Sequence, residues 1–141
     1  MTINHRAVLV ALACAAVVGC GGVGGISAPH TVPTSGTVLL KGKPAAGVTV
    51  KFLPQFDMGA IKWEPNAVTD KDGKFTLSTG AGGNGAPPGE YKVTFELLRA
   101  GADKRGLDTE IDVWKGKYAD PATAPKVTVS AGGELEPFRL D

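Results

Sequence analysis

The sequence predicts an all-β protein, an antiparallel Greek-key β-sandwich of about seven strands. Three observations carry that reading. Short runs rich in Val, Phe, Thr and Tyr alternate apolar and polar side chains with a period of two. Clusters of Gly, Pro and Asp punctuate those runs at short intervals. With 20 glycines and 10 prolines in 141 residues, long helices have little room.

The strands follow in order. Gly36–Leu40 sets Val38 and Leu40 on one side. Val48–Leu53 turns Val48, Val50 and Phe52 inward and Thr49 and Lys51 outward. Val68-Thr69 belongs to a further strand, and Lys74–Leu77 offers Phe75 and Leu77. Tyr91–Leu98 alternates most clearly, with Tyr91, Val93, Phe95 and Leu97 against Lys92, Thr94 and Glu96. Lys126–Val129 and Pro137–Leu140 complete the set. Between them, Lys41-Gly42-Lys43-Pro44, Asp70-Lys71-Asp72-Gly73, Pro87-Pro88-Gly89 and Ala131-Gly132-Gly133 supply reversals, where Gly and Asp tolerate positive φ. The longest stretch between these strands is Arg99–Pro125. It contains the charged piece Asp103-Lys104-Arg105 and an alternating piece, Leu107–Trp114, compatible with an edge strand or an ordered loop. A connection this long is usually functional or mobile.

Ahead of the folded region stands a different kind of sequence. Met1–Gly19 has a weakly positive start at His5 and Arg6, the apolar run Ala7–Val18, and small residues before Cys20. The run falls well short of the ~20 residues that span a bilayer. Val17-Val18-Gly19-Cys20 resembles the lipobox of bacterial lipoproteins, with Val17 where Leu is usual. Cys14 lies inside the apolar run and is the poorer cleavage site. The resemblance implies removal of residues 1–19, fatty chains such as palmitate on Cys20, and attachment to a membrane. Two or more acyl chains hold stably where one holds marginally. Gly21 is not the Asp that favours inner-membrane retention in some bacteria, so the expected address is the cell envelope at the outer membrane. Gly21–Pro33 lacks periodicity and reads as a flexible tether, leaving residues 34–141 as the sandwich domain.

Composition excludes several classes. Lys+Arg number 15 against 14 Asp+Glu, and Arg6 is the leader's one fixed charge, so the mature chain is formally neutral. Nothing in that balance drives binding to a phosphate backbone, and nucleic acid is excluded as the expected partner. With Cys14 removed and Cys20 acylated, no disulfide forms and the fold rests on its apolar core.

Several segments together resemble carboxypeptidase regulatory-like domains: Gly36-Thr37-Val38, Gly42–Val50, Thr69–Phe75 and Pro88–Val93. Lys117–Thr123 and the ending Val127–Leu140 are similar to small bacterial lipoproteins that carry one such domain alone. The resemblance implies a transthyretin-like, immunoglobulin-like β-sandwich with no catalytic centre. Tyr91, just after Pro88-Gly89-Glu90, is similar to the tyrosine corner of Greek-key sandwiches, whose hydroxyl bonds nearby backbone.

A search for chemistry finds little. A Ser-His-Asp arrangement needs a positioned base, and the one histidine beyond the leader, His30, lies in the tether. Zinc needs three or four His, Cys or carboxylate ligands, and the domain has neither His nor Cys. Asp70 and Asp72 could hold Ca²⁺, but an EF-hand loop needs more ligands and a later Glu, so a hairpin turn is expected. Gly80–Gly85 (GAGGNG) lacks the Lys-Ser/Thr of a P-loop and reads as a hairpin tip. The expectation is therefore no enzyme, no cofactor and no metal. Trp63 and Trp114 are the remaining candidates, near predicted loops, for contact with a glycan or an envelope protein. Their alternative role is to cover open ends of the core.

Overall fold

The computed structural model describes residues 28–80 and 83–141. The leader, Cys20 and the first part of the tether lie outside the described residues.

The chain is all-β. Its strands are β1 (Thr34–Leu40), β2 (Lys43–Pro44), β3 (Thr49–Pro54), β4 (Asn66–Val68), β5 (Lys74–Thr76), β6 (Gly89–Glu96), β7 (Leu98–Ala102), β8 (Asp108–Asp112), β9 (Lys126–Val129), β10 (Gly133–Glu134) and β11 (Phe138–Leu140). One sheet has the order β4-β3-β6-β9 and is antiparallel throughout. The other is built around β1, which pairs with β2, β5, β10 and β11.

The two sheets close on one core because the period-two residues of each face the other. Val50 and Phe52 of β3, and Tyr91, Val93 and Phe95 of β6, are buried against Val38, Phe75 and Leu140 of the β1 sheet. Aromatic rings join the layers: Phe52 lies 6.3 Å from Phe75, and Phe95 lies 5.2 Å from Phe138. Offset and edge-on ring pairs of this kind add about 0.5–1.5 kcal/mol beyond area burial.

The sandwich departs from a wholly antiparallel scheme at two pairings, since β10 and β11 both run parallel to β1. A hairpin cannot make a parallel pair, which needs a long crossover. Here nearly the whole domain separates the partners, so no local constraint opposes it.

The ordered body also begins before Thr34. Val32 and Ala86 exchange backbone hydrogen bonds of 2.9 and 3.1 Å, and the Thr31 hydroxyl donates to the Asn84 carbonyl at 3.0 Å. Residues 31–33, read from sequence as tether, are part of the sandwich edge. Gly85 makes this possible: its φ is +99°, and a Cβ there would lie 2.0 Å from the Val32 carbonyl oxygen.

Candidate interaction site

The segment left open between edge strand and loop is a two-stranded hairpin that projects from the sandwich. β6 ends at Glu96, Leu97 follows, and β7 begins at Leu98. β7 pairs antiparallel with β8 from Leu98↔Asp112 to Ala102↔Asp108. Among the described residues these two strands form a sheet of their own.

Two aspartates hold the hairpin's ends. At the tip, Asp103 Oδ1 accepts from the Arg105 and Leu107 amides at 2.8 and 3.0 Å, and Gly106 N–H donates to the Asp103 carbonyl at 2.9 Å. The Leu107 amide bond is the strongest influence holding the Asp103 carboxyl below its usual range. At the base, Asp112 accepts from the backbone N–H groups of Gly116, Leu97 and Trp114 at 2.7, 3.0 and 3.1 Å. Desolvation alone would raise the Asp112 carboxyl, but these three donors outweigh it and hold the group below the ordinary carboxylate value.

Alternation gives the hairpin two unlike faces. One continues the inward side of β6, beginning with Leu97, which packs on the core. Beyond it this face carries Val113, Ile111 and Leu107, which are 52, 45 and 57% exposed. Ile111 lies across Gly101, where a Cβ would sit 2.3 Å from the Ile111 side chain. Arg99 shares this face and reaches back over Gly47. The opposite face carries Asp108, Glu110 and Asp112. Sequence reasoning named none of the three aliphatic residues as a contact surface. Their alternation in Leu107–Val113 was visible, but nothing local showed that the face has no opposing sheet among the described residues.

Trp114 sits half-buried at the hairpin's base, edge-on to Tyr118 at 5.1 Å, and packs on the core. Lys117 Nζ stands 4.7 Å from the Tyr118 ring centre. Trp63, also half-buried, lies in the β3–β4 connection. It is two residues before Pro65, whose carbonyl accepts from Phe52 N–H at 2.8 Å. The register places Trp114 past the Thr49–Glu96 pair at one end of β3, and Trp63 two residues before Pro65, toward the Pro54 end. The fold does not build one surface from both.

Asp70 and Asp72 form the turn that was expected. Asp70 Oδ1 accepts from the amides of Asp72 and Lys74 at 2.8 and 3.0 Å, and Gly73 takes φ +72°. Among the described residues no three His, Cys, Asp or Glu side chains come together as a metal site would require. His30 is exposed near the start of the described chain. Gly80 and Gly83 close a turn, with Gly83 N–H donating to the Gly80 carbonyl at 3.0 Å.

No family model matches the chain, and no curated protein matches it. Solved structures with similar folds exist. A 9R-lipoxygenase from Cyanothece PCC8801 is 14% identical over 79% of this chain and 16% of its own, with a TM-score of 0.45. The major pilin subunit of Bacillus cereus is 16% identical over 78% of this chain and 29% of its own, with a TM-score of 0.44. A candidate carbohydrate binding protein from Pseudomonas aeruginosa is 15% identical over 81% and 90%, with a TM-score of 0.41. The chain thus spans less than a third of the first two proteins. At these TM-scores the likenesses carry no inference about activity or partner.

Proposed function

We propose that this protein is a lipid-anchored, non-catalytic module of the cell envelope that binds another envelope component through the β7–β8 hairpin. The observation that carries this reading is the stripe of Leu107, Ile111 and Val113, three exposed aliphatic side chains on one face of a projecting hairpin.

Its placement supports the same role. The chain enters the sandwich at Val32, which pairs with Ala86, just before β6 begins at Gly89. The hairpin leaves from the far end of β6, after Glu96. At roughly 3.4 Å per residue, the eight residues of β6 and five of β7 amount to at most about 44 Å of extended chain between the point of entry and the tip. An anchor at Cys20 therefore leaves the hairpin facing away from the anchoring membrane, which on the Gly21 criterion is the outer membrane. A glycan partner held by Trp63 and Trp114 has less support, because Tyr118 and the core engage Trp114 while Trp63 stands elsewhere.

Two measurements test this. Mass spectrometry of the envelope form should show a chain starting at Cys20 with acyl mass. Replacing Leu107, Ile111 and Val113 together by Ser should abolish co-purification of a discrete envelope partner while leaving the fold and the anchor intact. Unchanged co-purification would refute the hairpin's role.

A further inference from the structure

Two clefts on one side of the sandwich join into a groove. One of 550 Å³ is lined by residues 126–128 and 134–138, and one of 170 Å³ by Thr34 with residues 128–130 and 132–135. They share Thr128, Glu134 and Leu135.

β9 forms one wall, and it is the outermost strand of its sheet, paired only with β6 among the described residues. Val93 N–H donates to the Pro125 carbonyl at 2.9 Å, in line with the β6–β9 register. The odd-numbered residues of β9 therefore turn their backbone groups toward β6. Lys126, Thr128 and the following Ser130 turn theirs into the groove. Among the described residues no other segment bonds to them. Such a free edge is a template for another strand.

The groove has an apolar inner side and a charged rim, with Lys126 on the β9 side and Glu134 and Glu136 on the other. Val127, Leu135 and Phe138 line it and pack on the core, and Phe138 touches the rings of Phe52, Phe75 and Phe95. On the outer face Lys126 stands directly opposite Lys92. Like charges in that position repel, and neither lysine has an ion-pair partner among the described residues.

We infer that this groove takes an extended peptide of a partner protein, added as a strand beside β9. Its inward positions carry aliphatic side chains against Val127, Leu135 and Phe138. An outward position carries a carboxylate beside Lys126 and Lys92. Main-chain bonds to the free edge give affinity, and the alternate side chains give selection. This contact is separate from the hairpin and needs none of its residues.

The test uses the full chain and a defined probe, the capped peptide Glu-Val-Glu-Val-Thr-Val-Thr, read by amide hydrogen exchange. Binding should protect the amides of Lys126, Thr128 and Ser130. A peptide with Pro at alternate positions cannot donate to the edge and should bind at least tenfold more weakly. Lys in place of both Glu should weaken binding by about threefold or more. Thr128→Pro, which removes a groove-facing N–H, should abolish protection, and Ile111→Ser should leave it unchanged. No protection of these three amides at millimolar peptide would overturn the assignment. So would equal binding of the Pro peptide, a control that does not depend on any variant folding. Protection of the same amides on raising the protein concentration alone would give the groove to a second copy of this chain, and would likewise overturn it.

Discussion

The hydroxyl of Tyr91 donates to the carbonyl of Pro87 at 2.6 Å, four residues back in the chain and fully inside the sandwich. The bond ties the start of β6 to the turn that precedes it, as the tyrosine-corner resemblance implied. Phe56 closes the other side of the ring edge-on at 5.3 Å. Tyr91→Phe keeps the ring and leaves a buried carbonyl without this donor. It should lower stability by about 1–2 kcal/mol. The check is the urea midpoint at constant m-value, and an unchanged midpoint would reject the role.

The same residue gives a pH signature. Burial pushes the Tyr91 phenol from 10.0 up to about 12. The raised value means that the fold favours the neutral phenol. That contribution is whole below pH 10 and is lost as pH rises from 10 toward 12, where the unfolded chain ionises first. Wild type should therefore lose more stability than Tyr91→Phe across that window. Parallel losses in the two proteins would contradict the assignment.

Asp112 predicts the opposite sign at the other end of the scale. Its carboxyl is held below the usual value despite desolvation, so its contribution is present above the unfolded pKa and fades as pH falls through the folded one. Asp112→Ala should cost about 1 kcal/mol, the typical net value of a lost hydrogen bond. The loss should be local: amides of Leu97, Trp114 and Gly116 exchange faster while those of β3 and β6 hold. Uniform acceleration across the sandwich would show that the hairpin is not an independently held element.

Two left-handed glycines separate strain from crowding. Gly42 has φ +77° with nothing within 4 Å of a built Cβ, while Gly73 has φ +72° with the Val38 carbonyl oxygen at 2.6 Å. Gly42→Ala should cost about 1–2 kcal/mol, conformational strain alone. Gly73→Ala should cost clearly more, because backbone must move. Equal thermal midpoints for the two variants would mean that the turn at Gly73 yields freely.

How much of this was legible in the sequence is best seen in two turns. Asp70-Lys71-Asp72-Gly73-Lys74 and Asp103-Lys104-Arg105-Gly106-Leu107 close in the same way. In each, the first residue's N–H bonds the fifth's carbonyl, at 2.8 and 2.9 Å, and its carboxylate takes the third and fifth amides. The first turn was readable because the flanking Val68 and Phe75 belong to recognisable strands. The second was not, because Leu98-Arg99-Ala100-Gly101-Ala102 buries neither face and its small Ala and Gly residues give only a weak period. The core strands announced themselves for the converse reason: β3 and β6 bury alternate side chains completely. The parallel pairings of β1 left no local trace, since each joins the start of the domain to its end. The groove beside β9 was equally invisible, because an unpaired edge is a property of what the chain does not place there.

The measurement that bears most directly on the account is a photocrosslinker placed at Leu107 in the living cell. The account predicts one discrete adduct with an envelope component, lost when Ile111 and Val113 become Ser and absent when the crosslinker is moved to Glu110 on the opposite face. No adduct at Leu107, or equal adducts from both faces, would contradict it.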